Sequence, residues 1–408
     1  MNKHIIIQKF GGSSVANIGR IKAVAARVAA TRKRDNNLVV VVSALGDTTD
    51  ELEAMAYQII QDPPEREMDM LMSTGEQISC ALLAMAIKNL GHDTISFTGN
   101  QVGIKTDKSH TKARIISINA SRIHKAHEEG KIVIVAGYQG VTDDDDITTL
   151  GRGGSDLTAV ALAQALKAKV CEIYTDVEGI YTTDPRKVKE ARKLKTITFE
   201  EMLEMASLGA QVMQARSIEV AKRFNIPIHV RSSFSKEEGT MIMNKKKMLE
   251  EIAVRGVTSN KNDAKITICA VPDRPGIAAK IFTEISQTGA NVDIIVQNVS
   301  HTRYTDISFT VPKSDFTKAF TAAKTIAKKI DAGEVQDNKN IARVSIVGSG
   351  MRSHHGIAAK MFQTLAKEKI NIEMISTSEI SISCIINQKN TERAVRALHK
   401  TFELEKIR

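Results

Sequence analysis

Short apolar runs alternate with longer amphipathic segments over the first 232 residues of the chain. Runs of strand length lie at 5–7, 38–42, 132–136, 170–174 and 226–230. Segments with helical periodicity lie between them, at 18–31, 51–60, 70–90, 157–166 and 211–224. This alternation predicts a three-layer α/β unit in which a mainly parallel sheet carries helices on both faces. Functional side chains of such sheets gather at the carboxyl ends of the strands.

The first predicted strand runs into a Gly-Gly turn, Gln8-Lys9-Phe10-Gly11-Gly12-Ser13-Ser14. Two glycines between a strand and a helix offer bare backbone N–H groups and a positive helix end, which suit a phosphate. Lys9, which we expect to be exposed at the strand end, could reach the same phosphate as a point charge. The stretch is not a Walker A loop, because no Gly-Lys-Ser/Thr follows the glycines. The alternative interpretation is a strand, a tight turn and a surface lysine.

Two further clusters lie near the starts of predicted helices. Ser73-Thr74-Gly75-Glu76-Gln77 places a carboxylate and hydroxyls where they can face the strand ends. In Leu150-Gly151-Arg152-Gly153-Gly154-Ser155-Asp156, the guanidinium matches a carboxylate bidentately and the glycines allow close approach of the backbone. The alternative for this second cluster is that Ser155 and Asp156 only cap a helix and that Arg152 is solvated.

A longer cluster of turn residues, Tyr174-Thr175-Asp176-Val177-Glu178-Gly179-Ile180-Tyr181-Thr182-Thr183-Asp184-Pro185-Arg186, follows a predicted strand. A long loop at a strand end is a candidate edge for a nucleotide. The acidic run at 143–146 has no spaced metal ligands, so we expect a solvated loop there. No histidine or cysteine spacing is typical of a metal site, and we predict no metal-ligating side chains. The four cysteines are far apart and are predicted to be buried thiols.

The C-terminal part of the chain contains an internal repeat. Gly-Ile-Ala-Ala-Lys at 276–280 recurs 80 residues later at 356–360, and Asn-Val-Asp-Ile-Ile at 291–295 returns at the same offset as Asn-Ile-Glu-Met-Ile. Each copy is predicted to be a βαββαβ module. The second copy ends one strand short, and the run at 252–257, which precedes the first copy, could supply that strand. We therefore expect the first module to be inserted into the second.

Composition excludes some classes of function. A net charge of +10 could suggest nucleic-acid binding, but aromatic residues make up 4% of the chain, tryptophan is missing, and the basic residues are dispersed among acidic ones. No apolar stretch approaches the roughly 18 residues that span a membrane, and the N-terminus leads straight into a short strand-like run. We therefore expect no nucleic-acid partner, no membrane partner and a cytoplasmic location.

Taken in order, these motifs resemble those of aspartate kinase (aspartokinase), and Ser43-Ala44-Leu45-Gly46-Asp47-Thr48-Thr49-Asp50 adds another. Leu45 and Glu178 depart from the family pattern, where Met and Asp would be expected. The family joins an amino-acid-kinase domain to paired ACT domains. The resemblance implies a catalytic domain at 1–235, a linker at 236–250, a first ACT domain at 264–338 and a second made of 251–263 with 339–408. We expect a monofunctional enzyme, because the chain ends after the repeat without a homoserine dehydrogenase domain.

The resemblance implies transfer of the ATP γ-phosphoryl group to the β-carboxylate of L-aspartate. It makes Lys9 and Asp156 catalytic and brings Mg²⁺ with ATP. The residues implied to hold ATP are Lys9, Phe10, Gly11, Gly12, Ser13, Thr175, Asp176, Tyr181, Asp184 and Arg186. Those implied to bind aspartate, with Glu76 on the α-ammonium and Arg152 on a carboxylate, are Ser43, Thr49, Glu76, Arg152, Gly153, Gly154 and Ser155.

Regulation is also implied, by lysine, threonine or both, at the edge of the first ACT domain. The residues expected there are Asp273, Arg274, Pro275, Gly276, Ile277, Ala278, Asn291, Val292, Asp293, Gln297 and Asn298. The alternative is that Asp273 caps a helix and Asp293 faces solvent. We expect a homo-oligomer or an α2β2 assembly through pairing of the ACT domains. The sequence leaves three points open: the effector combination, the oligomeric state, and an internal start at Met241, Met243 or Met248. Other kinases of this fold, for glutamate, acetylglutamate or uridylate, are the alternative function.

Overall fold

The structure is a computed structural model that describes residues 4–32, 36–210, 212–244, 253–298, 303–352 and 354–406, without the side chain of residue 352. Strands and helices alternate through its N-terminal unit. In chain order the elements are β1 Ile5–Phe10, α1 Ile18–Arg32, β2 Asn37–Val42, α2 Thr48–Ile59, α3 Glu65–Lys88, β3 Thr94–Phe97, β4 Ile104–Thr106, β5 Ile115–Ile118, α4 Ser121–Glu128, β6 Ile132–Ala136, β7 Gln139–Val141, β8 Ile147–Thr149, α5 Gly154–Ala165, β9 Val170–Thr175, β10 Thr196–Thr198, α6 Phe199–Ser207, α7 Ala215–Phe224, β11 Ile228–Ser232 and β12 Thr240–Met243.

Eight of these strands form one sheet in the order β10-β12-β11-β9-β1-β2-β6-β3. All neighbouring pairs are parallel except β11 and β12, as predicted for a mainly parallel sheet. Successive side chains of β2 enter opposite cores because a strand has a side-chain period of two. Val40 joins residues of α1 and α3 on one face, whereas Val41 joins residues of α5 and α7 on the other. The sheet is therefore the middle one of three layers.

A second, smaller sheet, β5-β4-β7-β8, lies beside helix α3. At 24 residues, α3 is the one described helix whose length and apolar composition would suffice to cross a membrane. It packs instead against α1, α2, β3, β6 and β8, and Leu83 and Ile87 are fully buried in the core with α1. We therefore interpret α3 as a core helix of the N-terminal unit.

The C-terminal part contains two four-stranded sheets, β13-β18-β20-β19 and β15-β16-β14-β17. Strand β13 precedes all the others in the chain yet pairs with β18, and this pairing supports the predicted insertion of one module into the other. The elements are β13 Gly256–Asn260, β14 Asp263–Pro272, α8 Ile277–Ser286, β15 Ile295–Gln297, β16 Tyr304–Pro312, α9 Phe316–Lys329, β17 Val335–Asn338, β18 Ile341–Val347, α10 Ile357–Lys367, β19 Ile372–Thr377, β20 Ser381–Asn387 and α11 Thr391–Thr401.

The structure differs from the sequence prediction at the linker, and it contains short strands that were not predicted, among them β3, β4, β5, β7, β8 and β10. The predicted linker at 236–250 contains β12, which pairs with β11 and β10 in the large sheet. Helix α1 begins at Ile18, as its periodicity predicted, and a short 3₁₀ turn, Gly12–Ser14, lies between Gly11 and that start. Residues 211 and 245–252 lie outside the described residues. They include part of the predicted helix at 211–224, of the linker and of the run at 252–257, and the open start at Met248.

Candidate functional site

The carboxyl ends of four neighbouring strands, β9, β1, β2 and β6, meet at one edge of the large sheet. Phe10 lies opposite both Val42 and Tyr174, and Val42 lies opposite Ala136. The ring of Phe10 stacks on that of Tyr174, with centroids 4.7 Å apart. Because these ends are in register, the segments that follow them share one face of the unit, as expected for a parallel sheet.

Lys9 and Asp156 form an ion pair at this edge, with Nζ 2.6 Å from Oδ1. Asp156 lies in the first turn of α5, whereas Lys9 belongs to β1. The prediction that Lys9 is an exposed residue is wrong, because its side chain is 12% exposed and that of Asp156 is 8% exposed. A nearly buried ammonium held by a nearly buried carboxylate is fixed in position and is only weakly screened by solvent.

The Gly-Gly turn after β1 lies close to neighbouring backbone. A Cβ on Gly12 would lie 3.1 Å from the carbonyl oxygens of both Ala44 and Gly46, so a side chain is poorly tolerated there. Gly11 donates its N–H to the carbonyl of Tyr174 at 3.2 Å, and this N–H is therefore occupied. The N–H groups of Gly12 and Ser13 are therefore the ones that could make the phosphate contact predicted for this turn.

Glu76 is buried, at 3% exposure, in the middle of α3. The prediction that its cluster lies near the start of a helix is wrong, because α3 begins at Glu65, directly after Pro64. Its Oε1 accepts the N–H of Ala44 at 3.2 Å, whereas Oε2 is buried and has no partner among the described residues. Burial raises the pKa of the Glu76 carboxyl to about 7, although the N–H of Ala44 and the charge of Lys9 act to lower it. An unpartnered buried carboxylate oxygen is costly to the fold and suits a cationic ligand.

The glycine-rich segment at 150–154 joins the end of β8 to the first residue of α5. Gly153 has φ +72 and would place a Cβ 2.8 Å from Gln214, so only glycine fits there without strain. Gly154 packs against Tyr138, and Ser155 is buried beside Gly137, where a Cβ would lie 2.7 Å from its hydroxyl.

Arg152 lies on the outer side of this segment, with its side chain 88% exposed. It is 3.4 Å from Asp50 and 3.7 Å from Glu53 of α2. Of the other residues predicted to bind aspartate, Ser43 follows β2, and Thr49 lies half-buried in the first turn of α2. The exposed guanidinium agrees with the solvated alternative.

A cleft of about 740 Å³ adjoins the end of β9. All five nucleotide residues predicted from the long turn cluster line it: Thr175, Asp176, Tyr181, Asp184 and Arg186. Arg186 forms two hydrogen bonds to Asp184, at 3.0 and 3.1 Å, so both belong to one fixed pair. The opposite wall comes from β13 and the turn after it, at 257–262, which the sequence analysis did not identify. No local pattern indicates that wall, because its residues are distant in sequence from the turn cluster at 174–186.

The acidic run at 143–146 is neutralised by basic side chains. Arg66 contacts Asp146 at 2.7 Å, Lys105 lies 3.6 Å from Asp145, and Lys108 pairs with Asp144. Within the described ranges, no group of three or more His, Cys, Asp or Glu side chains is arranged to hold a metal ion. These ion pairs agree with the expectation of a solvated loop.

The predicted effector residues lie around the start of α8 and the edge strand β15. Gly276, with φ +86, is the N-cap of α8, and no side chain caps this helix, so the capping alternative for Asp273 is not supported. Ile277 is buried, and Asn291 donates its N–H to Asp315. The remaining members are exposed (Arg274, Pro275, Gln297 and Asn298) or half-buried (Ala278 and Val292).

Asp293 has a protein partner in this structure. Its carboxylate lies 2.5 Å from Arg343 of β18, and the same guanidinium lies 2.7 Å from Asp263 at the start of β14. Arg343 is 5% exposed. The buried arginine therefore joins the two C-terminal sheets. An effector ammonium would have to share Asp293 with it.

Comparison with known proteins gives consistent results. The model of the Amino acid kinase family matches residues 4–232, and that of the ACT domain matches 266–325 and 344–402. An aspartate kinase of Stutzerimonas stutzeri is 52% identical over 402 residues, which cover 98% of each chain.

Two solved structures of aspartokinase III from E. coli are similar along nearly the whole chain. The complex with aspartate and ADP, in the R-state, has a TM-score of 0.82 at 25% identity and covers 97% of this chain and 99% of that one. The complex with lysine and aspartate, in the T-state, has a TM-score of 0.74 at 26% identity and covers 98% and 99%.

Proposed function

The chain belongs to the aspartate kinase family, and from this premise we propose which of its residues transfer the phosphoryl group of ATP to aspartate. The acceptor needs no general base, because a carboxylate with a pKa near 3.9 is already ionised at pH 7. One carboxylate oxygen attacks the γ-phosphorus, the bond to the ADP oxygen breaks, and an acyl phosphate and ADP result. The protein must therefore bring two anions together and neutralise their charge.

Lys9 supplies the positive charge for the transferring group. Its ammonium lies beside the Gly-Gly turn, 3.5 Å from the position that a Cβ on Gly11 would take. Asp156 holds that ammonium at 2.6 Å and orients it without removing a proton from the substrate. Because the pair is almost buried, its field acts on the phosphoryl group with little screening.

The observation that carries the acceptor site is the buried Oε2 of Glu76, which lacks a partner among the described residues. We assign it to the α-ammonium of aspartate. Arg152 turns from Asp50 and Glu53 to a substrate carboxylate, which is a better bidentate partner than either long contact at 3.4 and 3.7 Å. Ser43, Thr49 and the segment at 153–155 complete the pocket.

The cleft at the end of β9 holds the nucleotide. Its volume of about 740 Å³ is in the range of ligand sites, and Thr175, Asp176, Tyr181, Asp184 and Arg186 contact adenine, ribose and phosphates. Mg²⁺ bound with ATP would supply positive charge to the phosphates. Asp156 is the carboxylate at this edge that would organise the metal-bound phosphates, and the ion would keep several of its waters.

Hydroxylamine trapping tests the proposed acceptor. The acyl phosphate formed from aspartate gives a hydroxamate, and glutamate is offered in parallel. ADP release with UMP tests a nucleotide acceptor. We expect a strong signal with aspartate only. Preference for glutamate or UMP would contradict the assignment of Glu76 and Arg152.

Regulation and assembly form a separate proposal. We propose inhibition by lysine, threonine or both at the edge formed by α8 and β15, since the related E. coli enzyme was solved with lysine. Edge strand β15 leaves Ile295 49% exposed, which supports pairing with another ACT domain in a homo-oligomer or an α2β2 assembly. The sheets support ACT domains at 264–338 and at 251–263 with 339–408, and the enzyme is proposed to act in the cytoplasm.

A further inference from the structure

Asp69 is a completely buried carboxylate on α3, seven residues before Glu76. Seven residues are nearly two helical turns, so the two carboxylates lie on the same face of one helix. Asp69 Oδ1 accepts the hydroxyl of Thr149 at 2.5 Å, and the N–H of Thr111 lies 3.0 Å from both oxygens. The ring Nδ1 of His110 is 2.7 Å from Oδ2. The proposed phosphoryl transfer uses none of these contacts.

The residues that Asp69 holds adjoin the segment proposed to bind aspartate. Thr149 is the last residue of β8 and is followed by residues 150–154. Thr111 has φ +63, a left-handed conformation that is strained for a β-branched residue. A Cβ on Gly151 would lie 3.3 Å from the carbonyl oxygen of Thr111, so the two backbones are in close contact. Asp69 therefore fixes a strained residue against the glycine-rich segment.

The other side of the same segment is held by α7 and the residue before it. Gln214 donates to the carbonyl of Arg152 at 2.6 Å, and Arg216 donates to the carbonyl of Leu150 at 2.8 Å. Arg216 also donates to the carbonyl of Ala113 at 3.0 Å. These bonds attach the segment to α7, whereas Asp69 attaches it to α3, the helix that carries Glu76.

We propose that Asp69 is a positioning residue that fixes the segment at 150–154 relative to Glu76, and so sets the spacing between the groups that hold the two ends of aspartate. The inference rests on the proposed function of that segment. Asp69 does not touch the substrate in this account. Its loss should weaken the binding of aspartate and leave the nucleotide cleft unchanged.

The test compares Asp69→Asn with Asp107→Asn. Asp107 accepts the N–H groups of Ser109 and Arg114 in the same β4–β5 connection but has no contact with residues 149–154 among the described hydrogen bonds. For Asp69→Asn we expect the KM for aspartate to rise about tenfold, the scale of losing a hydrogen bond to a charged group, and the KM for ATP to change less than about twofold. Asp107→Asn should change neither constant appreciably.

Thr149→Val is a second variant, because it keeps the carboxylate and the side-chain volume while removing one hydroxyl donor. It should shift the KM for aspartate in the same direction by a smaller factor. A general loss of folded protein would lower kcat without separating the two KM values. Equal rises in both KM values, or an Asp107→Asn effect as large as that of Asp69→Asn, would overturn the inference.

Arg152→Ala separates this inference from the proposed function. If Arg152→Ala leaves the KM for aspartate unchanged, the role proposed for Arg152 and its segment in binding aspartate fails. If Arg152→Ala raises that KM and Asp69→Asn does not, only the positioning role of Asp69 is refuted.

Discussion

Replacing Glu76 by glutamine is expected to stabilise the ligand-free protein above pH 7 while it weakens the binding of aspartate. Burial raises the pKa of the Glu76 carboxyl from its ordinary value of 4.5 to about 7. Each pKa unit corresponds to about 1.4 kcal/mol, so keeping this carboxylate ionised costs the folded state about 3 kcal/mol. An unpartnered Oε2 is consistent with a cost of this size.

The sign of the pH dependence follows from the raised pKa. A carboxyl whose folded pKa lies above its unfolded value contributes stability that is fully present below the unfolded pKa and is lost as the pH rises through the folded pKa. For Glu76 this window runs from 4.5 to about 7. The amide in Glu76→Gln does not ionise and can still accept the N–H of Ala44, so the variant keeps this stability above pH 7.

Calorimetry of the ligand-free proteins measures the effect. Near pH 8, about 3 kcal/mol corresponds to a midpoint of unfolding roughly 5–10 °C higher for Glu76→Gln than for the parent. Near pH 4 the difference should be small, since the carboxyl is then largely protonated in both the folded and the unfolded parent. In turnover assays the KM for aspartate should rise by about tenfold or more, with little change for ATP. A variant that is less stable near pH 8, or equal rises in both KM values, would show that Glu76 is a structural residue.

Three further predictions concern transfer, control and thiol reactivity. Lys9→Ala should lower turnover by about 100-fold or more, the scale of losing one preorganised charge, and should also lower the midpoint of unfolding because it leaves Asp156 buried and unpaired; near-normal steady-state turnover would remove Lys9 from its role. Asp273→Ala or Gln297→Ala should relieve inhibition by lysine or threonine with uninhibited turnover near that of the parent, and the regulatory proposal fails if neither amino acid inhibits the parent protein. In a mass-spectrometric time course, native protein should be alkylated fastest at the half-buried Cys269. Burial raises the thiol pKa to about 12 for Cys80 and Cys384 and raises it further for Cys171. Labelling of any of these three thiols as fast as that of Cys269 would contradict the prediction.

Local pattern predicted strands β1, β2, β6, β9 and β11 because they contain apolar runs, and it predicted the long helices because each has its own periodicity. The short strands β3 and β10 have no such run and were not predicted. Strand β12 was missed because it lies in a short segment between charged stretches, and its partner β11 is supplied by the tertiary fold. The repeat predicted that the run at 252–257 supplies the strand that the second copy lacks, and β13 overlaps the end of this run. Its pairing with β18 depends on a contact about 90 residues away in sequence.

The candidate site was predictable where one motif carries the chemistry and not where distant segments meet. The glycines and charged residues at the ends of β1 and β9 are visible in sequence. The burial of Lys9 is not, because it depends on Asp156 of α5. The wall at 257–262 and the contacts of Asp69 likewise join segments that are far apart in the chain, and no local pattern indicates such contacts.

A crystal structure with aspartate and ADP tests the account most directly. We expect the α-ammonium of aspartate within about 3 Å of Glu76 Oε2, a substrate carboxylate on the Arg152 guanidinium, and the β-carboxylate facing the Lys9 ammonium. ADP should occupy the cleft between the end of β9 and residues 257–262. Aspartate bound with Glu76 Oε2 still unpartnered, or ADP bound outside that cleft, would contradict the proposed site.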